Sequence, residues 1–581
     1  MIAYRAPVDD YMFIFRSVLD LSAHPARPLG ELGLDDVRAL LEGCAAVCEN
    51  EVRPVNATAD REGSRLGDQG ALTATGVATA YRALVDGGWI GLQSGGEHGG
   101  PGIPNIVGKA IHEMRSSASM AVAGFAELTE AVALALAAFG TGEQKSIYLP
   151  KLSTGRWTGS MHLTEPQAGS DIGLIRTKAT RREDGSYRIA GSKIFITDAE
   201  HDLTENVVNL VLARIEGAPA GTRGLSLFLV PRFLPDGQGL PGVRNDLRYT
   251  NLEHKMGLHG SVTGTMVYDG AVGFLVGAEN QGLAPLFTMV NDTRLGVGLQ
   301  ALAAAEAVYQ AAFSYARERR QGRIPGGGGD GPVPIAAHAD VRRMLLQIAG
   351  FVEGGRVLAS WVALQMDLAA GGDGDAAATV ALMTPLVKAF FTDEGFAAVD
   401  LGLQIHGGHG YIVDTGVEQF LRDIRVTRIY EGANGIVADD FAMRRVVVDG
   451  GSTLMRLVER ISAELGEFRS AQPDLIESLC SSLEDLRAAT HSLLDLAASR
   501  PRRVGLVANP YLRLAGLCLL GWAWIRQIAA LDQTGEPIGL GEEARDWKRV
   551  AGRFFMLWTL PETRLLAARV SVAGLSLDAF D

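Results

Sequence analysis

Cysteine is scarce. Cys44, Cys48, Cys480 and Cys518 are the only four in 581 residues. So few thiols exclude a secreted disulfide scaffold. Cys44 and Cys48 stand four apart in "LEGCAAVCEN", with no second pair or histidine cluster nearby to complete a zinc tetrahedron. They read as buried helix-face thiols in a reduced compartment. A basic excess is missing too. Lys and Arg total 54 against 67 Asp and Glu, a formal net charge of −13. That excludes general nucleic-acid binding, which needs cations to displace phosphate counterions. The opening "MIAYRAPVDD" carries Arg5, Asp9 and Asp10 and lacks the apolar core of a secretory signal, so a cytoplasmic location is expected. The longest apolar run, "YLRLAGLCLLGWAWI" (511–525), contains Arg513 and reads as too short to span a bilayer. A buried core helix is expected there, not an integral membrane segment.

What is present is apolar content, 47% of the chain, enough for several domains. The fold class read from the pattern is α+β, mostly α. Residues 1–160 form an N-terminal helical domain, with apolar positions three and four apart in "DDVRALLEGCAAVCENEV" and "TEAVALALAAFG". Residues 161–281 form a β-domain. There "VVNLVLARI", "GLSLFLVPRF" and "GTMVYDGAVGFLVG" read as strands, and "GSYRIAGSKIFITD" alternates around a turn. Residues 282–449 return to helices, interrupted by a glycine-rich loop at 325–332. Residues 450–581 add a C-terminal helical extension. No internal repeat is visible.

Three runs carry chemistry. In "MHLTEPQAGSD" (161–171), Thr-Glu-Pro turns the chain and Ala-Gly-Ser exposes backbone N–H groups and a hydroxyl. In "SKIFITDAEHD", alternation sets Phe195 and Thr197 on one face, a pairing that suits a flat heterocycle. In "QIHGGHGYIVDTGVEQFLRDIRVTRIYEGANGI" (404–436), Gly407 and Gly408 allow close backbone approach. His406 and His409 lack a third ligand nearby, so no metal site is expected. Each run alone is equally compatible with an ordinary turn, a half-buried strand or a structural loop.

In this order and spacing, "TEPQAGSD", "KIFIT", "ARERRQGR", "GGHGY" and "IYEGANGI" resemble the acyl-CoA dehydrogenase family. The branch most similar is that of the long bacterial enzymes related to 3-methylmercaptopropionyl-CoA dehydrogenase and of the mycobacterial-type long enzymes. The resemblance implies a β-barrel-like middle domain, FAD as cofactor and an acyl-CoA substrate. It implies α,β-dehydrogenation to a trans-2-enoyl-CoA, with Glu431 taking the α-proton and flavin N5 accepting the β-hydride. Leu163, Thr164, Gly169, Ser170, Phe195 and Thr197 fall where the family holds flavin. Arg319, Gln404, Gly407 and Gly408 fall where it holds FAD from the neighbouring subunit. Ser170, Arg294, Tyr430 and Gly432 fall beside substrate. An electron-transfer flavoprotein as acceptor and a homodimer are likewise implied. Ala433 stands where the family commonly has Thr, Gly435 where many relatives have Gln or Glu, and "ERRQGR" replaces a common aromatic-Gly version. Two alternatives remain at this stage: an oxidase using O2, and a non-catalytic binding or stress protein on the same scaffold.

Overall fold

The computed structural model describes residues 2–68, 70–324, 331–468, 472–532 and 539–572. Most of the expected glycine-rich loop, 325–330, lies outside the described residues. The chain forms two compact units: Ala39–Gly296 with Ala3–Ala6, and Pro7–Arg38 with Val297–Asp581.

The first unit joins helices to a sheet. Helix α1 (Asn105–Ala118) and helix α2 (Met120–Phe139) meet at Ser119, whose extended backbone breaks the helix and whose hydroxyl caps α2. A seven-stranded sheet follows: β1 (Thr158–His162), β2 (Lys178–Arg181), β3 (Tyr187–Thr197), β4 (Val207–Ile215), β5 (Leu225–Pro231), β6 (Leu247–Leu252) and β7 (Thr263–Val276). Strand β7 pairs β3, β3 pairs β2, β2 pairs β4, β4 pairs β5, and β5 returns to β7. Five strands thus close a ring, and β6 and β1 flank it. Closure removes free edges from those five and gives the barrel-like character expected. Strand β5 is buried along its whole length and β4 almost so, which is why both read as unbroken apolar runs. Strand β1 lies against α2. A side chain at Gly159 would come within 2.6 Å of Val132, so glycine permits the approach.

"GSYRIAGSKIFITD" does not alternate around a turn; Tyr187–Thr197 is one continuous strand. Gly191 sits where a Cβ would meet Thr177 at 2.7 Å, so it serves close packing within the sheet and not reversal of the chain.

The second unit is helical. It takes the part of α3 (Leu283–Glu318) from Val297 onward, α4 (Ala339–Ala370), α5 (Gly374–His406), α6 (Val504–Asp532) and α7 (Glu542–Phe554). Helix α6 packs on α4 and α5. Trp524 Nε1 donates to the Gly350 carbonyl at 2.8 Å, and Gly516 faces the Phe390 ring, 2.5 Å from where a Cβ would stand. A buried charge network ties the C-terminal extension to the bundle. Lys548 meets Asp10 at 2.6 Å and Glu353 at 3.0 Å, and Arg356 meets Glu306 at 2.8 Å and also Asp10. Residues 511–525 belong to a helix that is not too short to span a bilayer, contrary to the expectation from the run alone. The helix extends well beyond that run, and Met120–Phe139, Gly374–Tyr411 and Pro501–Asp532 are each long and apolar enough to cross a membrane. In the last of these, 89% of the most apolar window is buried inside the protein, as a core helix requires.

Candidate active site

The first unit carries one half of the expected residues. After β1 the chain reverses at Glu165 and Ala168, which exchange N–H···O bonds of 3.0 and 2.9 Å. Gly169 and Ser170 follow, both exposed, and a Cβ at Gly169 would meet nothing. The turn is anchored to β3. Ile194 N–H donates to the Thr164 carbonyl at 2.9 Å, and Lys193 Nζ donates to the Leu163 carbonyl at 2.9 Å and to Glu165 at 2.8 Å. Glu165 also accepts from the Thr177 hydroxyl and N–H and from the Arg176 N–H. Burial pulls the Lys193 ammonium down to about 8, against the opposing pull of Glu165. Burial pushes Glu165 the other way, but Lys193 and the hydrogen bonds outweigh it and hold the carboxyl at about 2.

Phe195 follows at φ +59°, left-handed for a bulky aromatic, and the residue is 63% exposed. The register between β3 and β7 shifts beside it. Simple alternation therefore fails at this point, yet Phe195 and Thr197 both remain less buried than Ile196 between them. Thr197 is held from behind. Its hydroxyl meets that of Thr263 at 3.0 Å, and its carbonyl accepts from the Ser160 hydroxyl at 2.6 Å. Ser160 also meets His162 Nε2 at 3.1 Å, and His162 Nδ1 meets the Tyr268 hydroxyl. Burial lowers His162 to about 3, so the imidazole is neutral. Ser160 spends its one proton on Thr197, so Nε2–H must donate to Ser160 and Nδ1 must accept from Tyr268. Arg294 lies half-buried on the part of α3 that belongs to this unit.

The second unit carries the rest on two segments. Arg319 follows the last residue of α3, is exposed, and pairs with no carboxylate among the described residues. Its N–H donates to the Tyr315 carbonyl at 2.8 Å. Tyr315 stacks on His406 with centroids 4.6 Å apart, and its hydroxyl meets His409 Nδ1 at 3.1 Å. One tyrosine therefore holds the histidines on either side of Gly407–Gly408 next to the helix end that bears Arg319. Gln404, Gly407 and Gly408 are exposed, and the glycine pair has open space at both Cβ positions. The other segment is the turn 430–433. Glu431 is half-buried at φ +51°, and Gly432 follows at φ +99°. The Tyr430 hydroxyl donates to Gln300 Oε1.

Lys193, Glu165, His162 and Tyr315 were not singled out by sequence reasoning. The signal for Lys193 was present, a lone lysine in the apolar alternation of "SKIFIT". Tyr315 and His162 gave none, because their partners are distant in the chain.

Comparison with known proteins decides the family. The chain is 44% identical over 530 residues to 3-methylmercaptopropionyl-CoA dehydrogenase of Ruegeria pomeroyi, spanning 89% of this chain and 90% of that one. It belongs to the acyl-CoA dehydrogenase family. Segments of this acyl-CoA dehydrogenase match the family's N-terminal domain at 35–156, middle domain at 160–271 and C-terminal domain at 280–446. Residues 457–581 match the acetyl-CoA dehydrogenase C-terminal-like domain. It is also 34% identical to the broad-specificity linear acyl-CoA dehydrogenase FadE5 of Mycobacterium tuberculosis, covering 91% of each chain. Among solved structures, an acyl-CoA dehydrogenase complexed with FAD from Bacillus anthracis shares the fold, with a TM-score of 0.77 at 20% identity over 95% of this chain and 90% of that one. The protein is thus an oxidoreductase of the dehydrogenase type, and FAD is its cofactor. A non-catalytic role on this scaffold is set aside by that membership.

Proposed function

We propose that the enzyme dehydrogenates a linear acyl-CoA thioester between its α and β carbons, with Glu431 as the base. The observation that carries this reading is the turn itself. A half-buried carboxylate in a left-handed conformation, followed by an exposed glycine at φ +99°, is a strained turn of the kind that persists at functional sites. The carboxylate takes the α-proton as the C–H bond breaks, and the electrons of that bond pass into the new C=C bond. Bound FAD supplies the two-electron acceptor for the β-hydride. Gly432 leaves room for the thioester beside the base, and Tyr430, oriented by Gln300, places a polar group next to it. Arg294 serves CoA.

The residues of the first unit fit a flavin. Phe195 offers an exposed ring at a strained position, Thr197 a hydroxyl fixed from behind, and Gly169–Ser170 an unobstructed backbone beside Leu163 and Thr164. The exposed guanidinium of Arg319 and the open backbone of Gly407–Gly408 beside Gln404 suit a pyrophosphate. We assign these four to the FAD of a second subunit in a homodimer. The 44% identical relative acts on a thioether-bearing propionyl chain, which favours short linear acyl groups, with or without a sulfur substituent. An electron-transfer flavoprotein is the proposed acceptor, in preference to O2.

Anaerobic titration with acyl-CoAs of graded length, including 3-methylmercaptopropionyl-CoA, tests this reading. Flavin absorbance bleaches with short linear thioesters, and Glu431→Gln slows that bleaching by about a thousandfold or more. Unchanged reduction in Glu431→Gln rejects the base. No reduction by any thioester rejects the substrate class.

A further inference from the structure

The stretch "TPLVKAFF" places one lysine among apolar residues. Lys388 lies on α5 with no exposed surface. A buried ammonium is tolerated only where its N–H donors are matched. Two of its acceptors belong to the segment that bears Glu431. Nζ donates to the Gly432 carbonyl at 2.6 Å and to Asn434 Oδ1 at 2.9 Å. Asn434 is itself buried, and its Nδ2 donates to the Ala389 carbonyl at 3.2 Å, Thr392 Oγ1 at 2.9 Å and Asp393 Oδ1 at 3.0 Å. The same Asp393 oxygen accepts from Arg428 Nε at 2.6 Å. Lys388, Thr392 and Asp393 share one face of α5, being spaced i, i+4 and i+5. Between them they grip the residues three before, one after and three after Glu431.

That turn needs holding. An L-residue at φ +51° relaxes unless its neighbours fix it. Gly432 at φ +99° cannot supply the restraint, and a Cβ there would stand 3.1 Å from Val437. A base acts only within hydrogen-bond reach of its proton. We infer that Lys388 is a positioning residue for the reaction. By tethering the Gly432 carbonyl and Asn434 to α5, it fixes the left-handed conformation from which Glu431 reaches the α-hydrogen. The inference rests on Glu431 being the base.

The test uses the FAD-loaded enzyme and three variants, Lys388→Met, Asn434→Ala and Glu431→Gln. Methylthioacetyl-CoA is the probe. It has α-hydrogens but sulfur at the β position, so it exchanges α-hydrogen with solvent without being oxidised. Deuterium incorporation in D2O, read by mass spectrometry, reports the base alone. KM and kcat are measured in parallel with the thioester that reduces wild-type enzyme. Lys388→Met keeps its FAD, and its KM changes by no more than about threefold, while kcat and exchange fall about a hundredfold, the scale of a 1 Å misplacement. Asn434→Ala falls by about tenfold, because the Lys388 bond to the Gly432 carbonyl remains. Wild-type exchange in Lys388→Met with Glu431→Gln inactive overturns the positioning role and leaves the base intact. Loss confined to KM also overturns it, as a purely structural lysine would give that. Wild-type exchange in Glu431→Gln overturns base and positioning together. If Lys388→Met does not fold, wild-type exchange in Asn434→Ala overturns the role.

Discussion

The two regions that bear the functional residues use the same device in different chemistry. In the β-domain, Phe195 is left-handed, and a buried lysine, Lys193, holds the Leu163 carbonyl of the neighbouring loop. In the helical unit, Glu431 is left-handed, and a buried lysine, Lys388, holds the Gly432 carbonyl beside it. The partners differ. Lys193 pairs directly with a carboxylate, Glu165, at 2.8 Å, whereas Lys388 meets the amide of Asn434, and the nearby carboxylate Asp393 is bound by Arg428. One loop is thus clamped through a buried ion pair, and the other through a backbone carbonyl and a side-chain amide. Removing Lys193 therefore strands a buried carboxylate, whereas removing Lys388 frees the Gly432 carbonyl and Asn434.

That difference sets an order of effects. Lys193→Met leaves Glu165 buried and uncompensated, so urea titration shows a loss of about 3–5 kcal/mol. The Lys193→Met/Glu165→Gln pair recovers part of it, and an undiminished loss in the pair breaks the comparison. Acid comes next. Glu165 is held at about 2 against an ordinary 4.5, so its contribution is complete above its unfolded value and is lost as pH falls through the folded one. Going from pH 6 to pH 3 costs wild-type protein about 2 kcal/mol more than it costs Glu165→Gln. Lys388→Met then costs about 1–3 kcal/mol for the lost hydrogen bonds to Gly432 and Asn434. A loss equal to that of Lys193→Met says that the two clamps do not differ. The smallest effects belong to the strained residues. Phe195→Gly and Glu431→Gly each relieve a left-handed L-residue and gain up to about 1 kcal/mol in thermal unfolding, the glycine's extra unfolded-state entropy offsetting the rest. Glu431→Gly also ends catalysis. A loss of several kcal/mol in Phe195→Gly assigns its ring to packing instead of to the flavin.

The architecture was legible because it rests on local signals. The unbroken apolar runs of β4 and β5, the helical spacing through α2 and α4, and the glycine breaks between them follow from how side chains repeat along a strand or a helix. The family motifs were legible for a related reason: they are short contiguous runs such as "TEPQAGSD" and "IYEGANGI". The full length of α6 was not, since an interior proline, Pro510, and a charged residue, Arg513, disguised a helix that its neighbours on α4 and α5 hold together.

The sequence by itself determined the layered composition, the carboxylate at 431 and the glycine after it. It did not determine that Glu431 and Phe195 are left-handed, that β3 shifts register at Phe195, or that Lys193, Lys388 and Tyr315 hold the loops around them. Those features depend on partners far apart in the chain: Lys388 is 44 residues from Gly432 and Tyr315 is 94 from His409. A strained φ angle and a buried ammonium are each unfavourable alone. They persist because folding brings their partners together and makes the combined arrangement lower in free energy than its parts.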